Sequence, residues 1–340
     1  MSKDQLAQVA QALVAPGRGI LAADESSSTI AKRFAAIGVE STEAARRDYR
    51  ELLFRTTPAM QKYISGVILY DETVRQKAAD GTPLVSLIEK AGSIPGIKVD
   101  AGAKPLPGFP GETITEGLDG LAGRLKDYYD LGARFAKWRA VIDIADGIPT
   151  RGAILANAEA LARYAALCQE ANIVPIVEPE VLMDGGHALQ RCYEVSEVVL
   201  RAVFTALYEQ RVFLEGIVLK PNMAVAGKKS PHQASPAEVA AASVRLFKNT
   251  VPVAVPGIAF LSGGQSDFEA TANLDAIARL SPPWAVTFSY GRALQAAPQK
   301  AWSGKAANVA AAQAAFAHRA QMNSLASLGQ WSEPLEKAAA

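Results

Sequence analysis

Histidine and cysteine are scarce in this chain, with three histidines (His187, His232, His318) and two cysteines (Cys168, Cys192) among 340 residues. No HxxxH or CxxC spacing occurs, and no histidine ends an apolar run, so neither a zinc site nor a disulfide framework is expected. An excess of one charge is also missing: 35 basic residues face 34 acidic ones, giving a net charge of +1. That balance excludes a broad field for nucleic acid or an acidic membrane face. The most apolar window, residues 251–261, is about half of the roughly 20 residues a spanning helix needs and carries two prolines. GxGxxG, P-loop and GxSxG patterns are absent, which removes the usual parts for dinucleotide binding, ATP-driven transfer and serine hydrolysis. The opening MSKDQLAQVAQALVAPGRG interrupts its apolar residues with charge, so no export is expected. With unpaired cysteines besides, the expected compartment is a reducing one, the cytoplasm.

What is present is rhythm. Apolar residues make up 49% of the chain and charged ones 20%, enough for a large core. Short β-branched runs at 19–24, 64–70, 96–102, 135–144, 173–181, 216–222, 257–264 and 284–291 alternate with helical segments. Those segments lie at 41–55, 116–131, 153–170, 187–211, 236–248 and 266–280. Eight βα units predict an α/β protein, a closed (β/α)8 or TIM barrel. No linker divides residues 1–340, so one domain is expected, with an extra N-terminal helix, a C-terminal helix over 305–326 and a flexible tail at 328–340. The stretch Gly102 to Gly111 reads as a loop. A doubly wound sheet is the rival, but it lacks its glycine fingerprint.

In a barrel the active site collects at the C-terminal ends of the strands. Those ends carry Asp24, Lys98, Asp100, Glu178, Glu180, Lys220, Ser262-Gly263-Gly264, Ser289, Gly291 and Arg292. Residues two apart on a strand share a face, which pairs Lys137 with Arg139 and Glu178 with Glu180. The fourth, fifth and sixth strands are neighbours, so Glu178 is expected between Lys137 and Lys220. Lys220 ends the apolar run GIVLK near two other cations, and both desolvation and like-charge repulsion favour a neutral amine there. Such an amine adds to a carbonyl, Glu178 is in position to protonate the departing hydroxyl, and Asp24 is available for a hydroxyl proton as a carbon–carbon bond breaks. This is retro-aldol chemistry. SGG and SYGR offer a phosphate site with Arg292, while Ser26, Ser27, Ser28 and Thr29, across the mouth with Lys98, offer a second.

Each residue alone also has a plainer reading. An isolated lysine is more often snorkelled or salt-bridged than nucleophilic. Glu178 and Glu180 serve equally well as structural partners for Lys137 and Arg139, Asp24 and the serines as a helix cap, and the glycine motifs as turns. Only their joint arrangement around one rim is specific.

Through GRGILAADES with IAKRF, FRTTPAM, GVILYDET, GIKVDAG, GETITEGLDGL, GARFAKWR, VPIVEPEVLMDG, GIVLKPNM, FLSGGQS and TFSYGRALQ, the chain closely resembles the class I fructose-1,6-bisphosphate aldolases. The match runs in order from about residue 17 to about residue 305. It implies reversible, metal-independent cleavage of fructose 1,6-bisphosphate to dihydroxyacetone phosphate and glyceraldehyde 3-phosphate, in glycolysis and gluconeogenesis, with no cofactor. The family's Schiff-base lysine falls on Lys220, its acid/base glutamate on Glu178, its aspartate on Asp24 and its central lysine on Lys137, with Arg139 and Glu180 at further functional positions. By the same match Ser262, Gly263, Gly291 and Arg292 hold one phosphate, and Ser26, Thr29 and Lys98 the other. A homotetramer is implied as well. Two departures stand out: Thr29 occupies a position where many members have serine, and the ending QWSEPLEKAAA has no terminal tyrosine to assist protonation of the enamine. The competing expectations are a Schiff-base lyase for another phosphorylated sugar and a sugar-phosphate sensor that keeps the pocket.

Overall fold

The computed structural model describes residues 3–337. Eight parallel strands close on themselves in chain order: β1 (Gly19–Ala23), β2 (Ile64–Leu69), β3 (Ile94–Lys98), β4 (Phe135–Ile142), β5 (Val174–Val181), β6 (Val218–Leu219), β7 (Gly257–Phe260) and β8 (Ala285–Tyr290), with β8 returning to β1. This is the TIM barrel that the alternating pattern predicts. The six expected helices are found as Glu43–Phe54, Leu121–Asp130, Arg151–Glu170, Leu189–Glu209, Pro236–Thr250 and Asp267–Arg279. Ser235 and Ser266 open two of them through capping boxes with Glu238 and Glu269, which satisfy backbone donors that would otherwise be orphaned. The helix expected over 305–326 spans Val309–Ser327.

Inside the barrel the period of two separates a dry floor from a charged rim. On β4 the inward side chains are Phe135, Lys137 and Arg139, and on β5 they are Val174, Ile176, Glu178 and Glu180. The N-terminal helix Lys3–Leu13 plugs the floor, burying Leu6, Ala10 and Leu13 with Phe135, Val174, Ile176 and Val218. Room for the Phe135 ring comes from glycine on two neighbouring strands. A Cβ on Gly96 would lie 2.3 Å from the ring, and one on Gly66 would lie 2.9 Å from it. Burying such a side chain contributes roughly 1.5–3 kcal/mol.

Several boundaries differ from the sequence expectation. β3 starts at Ile94 and stops at Lys98, so Val99 to Gly102 lie beyond the strand, while residues 103–105, inside the stretch expected as a loop, pair with residues 113–115 in a small hairpin. β6 is only two residues long: a 3₁₀ turn (Leu214–Gly216) precedes it and Pro221 follows Lys220. Here a side chain substitutes for the ladder, as Asn222 Oδ1 accepts from the Val181 amide at 3.0 Å. The helix start expected at Ser26 to Thr29 is found as Ser27–Ala35, capped by Ser26, whereas helix Arg292–Trp302 was not anticipated. The segment expected as a loose tail is docked as far as Glu336. Trp331 is buried with its ring against Phe268 and its amide on Asp275 Oδ1 at 2.9 Å, and Glu336 pairs with the buried Arg319. A lone tryptophan among polar residues carries no period from which that docking could be read. Residues 338–340 of the expected tail lie outside the described residues.

Candidate active site

Charged side chains at the strand ends converge on one cavity of about 610 Å³. Lys220, directly after β6, and Lys137 on β4 are each 4% exposed, and Glu178 on β5 is 3% exposed. Ions this deep stay charged only when paired. Glu178 sits between the two amines as expected, with Oε1 3.1 Å from Lys220 Nζ and Oε2 3.4 Å from Lys137 Nζ. The second contact lacks hydrogen-bond alignment, so Glu178 Oε2 is left as a free acceptor inside the site.

Lys137 also reaches Asp24, at the end of β1, with Nζ 2.7 Å from Oδ2. Burial works against the charge on Asp24, but Lys137, Lys220 and Lys98 outweigh it and hold the carboxyl well below the usual range. Burial likewise opposes the charge on Lys137, and Asp24, Glu178 and Asp100 overcome it, pushing the ammonium above its ordinary value. Both groups are therefore ionised near neutral pH. Arg139 pairs through Nε with Glu180, while Lys98 pairs with Asp100 at 3.2 Å. Asp100 in turn accepts from the Arg139 and Gly102 amides, at 3.3 and 3.1 Å, tying the hairpin to the rim.

The expected phosphate residues lie on the same wall. Ser262 is buried at the end of β7, Gly263 takes a left-handed φ of +53°, and Arg292 opens helix Arg292–Trp302 after Gly291. Arg292 Nη2 donates to the Gly263 carbonyl, linking the two loops. Ser26 caps helix Ser27–Ala35 and accepts from the Thr29 amide at 3.4 Å, its hydroxyl lying 3.0 Å from that of Thr29. One placement needs correction. Closure makes β1 the neighbour of β8, so the Ser26 helix borders the Gly291–Arg292 loop instead of facing it across the mouth.

Sequence reasoning missed Glu25, Lys32 and Arg33, all of which line the cavity. Arg33 Nη1 pairs with Glu25, and its Nη2 lies 3.8 Å from where a Cβ on Gly291 would stand. The signal was present in the spacing: Ser26, Thr29 and Arg33 at a cap, three and seven residues on fall on one helix face. In all, seven basic and five acidic side chains line the cavity, a surplus of two positive charges in a chain whose net charge is +1. Among the described residues, no group of three or more His, Cys, Asp and Glu side chains is arranged to hold a metal ion.

A closed barrel with buried lysines and carboxylates at its C-terminal mouth, under a cationic rim, defines a barrel enzyme for an anionic substrate. Residues 5–340 match the family model described as fructose-bisphosphate aldolase class-I. A Xanthomonas campestris pv. campestris protein named "Probable fructose-bisphosphate aldolase class 1" is 58% identical over 333 residues, covering 97% of this chain and 99% of its own. Fructose-bisphosphate aldolase of Dictyostelium discoideum is 53% identical, with coverage of 96% and 93%. A solved structure of the Plasmodium falciparum fructose-bisphosphate aldolase superposes with a TM-score of 0.95 at 50% identity, covering 97% of this chain and 96% of that one. The chain belongs to the class I fructose-bisphosphate aldolase family, whose members are carbon–carbon lyases.

Proposed function

We propose that the chain cleaves fructose 1,6-bisphosphate reversibly to dihydroxyacetone phosphate and glyceraldehyde 3-phosphate through a Schiff base on Lys220, in glycolysis and gluconeogenesis. The observation that carries this reading is the Lys220 amine 3.1 Å from Glu178 Oε1, buried beneath a rim with surplus positive charge. Glu178 takes a proton from the Lys220 ammonium across their 3.1 Å contact, the neutral amine adds to the ketone carbon as its own proton passes to the carbonyl oxygen, and Glu178 then protonates the resulting hydroxyl so that it leaves as water. The iminium draws the electron pair of the C3–C4 bond. Asp24 takes the C4 hydroxyl proton as that bond breaks, and glyceraldehyde 3-phosphate departs. Protonation of the enamine and hydrolysis of the iminium then release dihydroxyacetone phosphate and restore the amine.

Lys137 supports Asp24 as an anion and contacts Glu178, and Arg139 with Glu180 lines the approach. Ser262, Gly263, Gly291 and Arg292 bind one phosphate, with Arg33 beside them. Ser26, Thr29 and Lys98 bind the other. The same reading carries a homotetramer working in the cytoplasm. No helix among the described residues is long and apolar enough to cross a membrane.

Borohydride reduction in the presence of dihydroxyacetone phosphate tests the reaction. Covalent label is expected on Lys220 with chelator present, and none in Lys220→Ala. Label on another residue overturns the assignment.

A further inference from the structure

Behind the cavity wall lies a cation that none of the steps above employs. Arg50, on helix Glu43–Phe54, is 1% exposed and among the largest fully buried side chains of the molecule. Its two ion pairs are the looser ones for each neighbouring carboxylate. Glu25 already pairs with Arg33, and Glu72 is held by Arg46 at 2.8 and 2.5 Å, whereas Arg50 stands 3.7 Å from each carboxylate. Among the described residues its one close hydrogen bond goes elsewhere, from Nη2 to the backbone carbonyl of Glu25 at 3.0 Å, and its Nη1 has no hydrogen-bond acceptor. That carbonyl belongs to the residue next to Asp24. On the other side of Asp24, Gln295 of helix Arg292–Trp302 donates to the Ala22 carbonyl at 2.7 Å.

We infer that Arg50 is a positioning residue for Asp24: it fixes the backbone where β1 leaves the barrel, so that the carboxylate points at Lys137 and at the substrate hydroxyl. The inference rests on the reading of Asp24 as proton acceptor. A misplacement of about 1 Å at such a group costs up to about 100-fold in rate. Substrate binding is insulated from the loss, because the Glu25 side chain keeps Arg33 and a 2.8 Å bond from Gln295 when Arg50 is removed.

The test is a kinetic split in the full-length enzyme. In Arg50→Met, kcat for cleavage of fructose 1,6-bisphosphate is expected to fall about 10–100-fold. KM should stay within about twofold and borohydride trapping of dihydroxyacetone phosphate should persist, since neither depends on Asp24. Arg50→Lys keeps the charge without the fork and is expected to recover part of the rate. In an Asp24→Asn background, Arg50→Met should cost nothing further in kcat. Wild-type kcat in both Arg50 variants overturns the inference, and so does a fall in kcat that adds in full to that of Asp24→Asn. If Arg50→Met does not fold, Arg50→Lys decides alone: reduced kcat with unchanged KM and trapping supports the role, and unchanged kcat or a parallel loss of trapping overturns it. Wild-type kcat in Asp24→Asn instead defeats the reading of Asp24 itself, a separate result.

Discussion

The two halves of the barrel interior are lined by the same strands yet built on opposite principles. Below, Phe135, Val174, Ile176 and Val218 meet the N-terminal helix in a space without charge. Two residues further along the same strands stand Lys137, Glu178 and Lys220, joined by contacts of 3.1 and 3.4 Å. The floor gains stability from area and shape, which tolerate no empty volume. At the rim, ions are held where desolvation opposes each of them and mutual pairing offsets the cost, which leaves the site poised for a charged ligand. Stability and chemistry thus share each strand and divide it along its length.

That division can be broken from either end. Glu178→Gln should lower kcat by about 10²–10⁴-fold, the usual worth of a placed general acid, and should lower the unfolding midpoint in urea as well, because the buried Lys220 ammonium loses its carboxylate. A wild-type kcat would contradict it. At the floor, Phe135→Ala should cost about 3–5 kcal/mol in urea unfolding, because flanking glycines cannot fill the void, while kcat of the folded fraction holds. Equal damage to kcat would mean the halves are coupled. The smallest effect belongs to the mouth. Arg292→Ala removes a charge-assisted partner worth about 1.5–3 kcal/mol, so KM for the bisphosphate should rise roughly 10–100-fold with kcat nearly intact. A change confined to kcat would move Arg292 from binding to chemistry.

The rim was more legible than its surroundings. Strand alternation, together with the fourth, fifth and sixth strands being neighbours in a barrel, put Glu178 between Lys137 and Lys220. Helix Arg292–Trp302 escaped notice because its start carries the SYGR motif, whose serine, glycine and arginine read as loop. Glu25 and Arg33 were hidden for a related reason. They satisfy one another, and only the fold shows that Arg33 also turns toward Gly291. β6 was overestimated because Asn222 does with its side chain what a longer strand does with backbone.

The ring of Phe135 occupies space ceded by Gly66 and Gly96, so three positions on three strands hold one shared volume. A lineage that enlarged either glycine would have to shrink the phenylalanine in the same step, and one that trimmed the phenylalanine first would drift toward a hollow base. These positions are bound to a common history, although 69 and 39 residues of chain separate Phe135 from its two hosts.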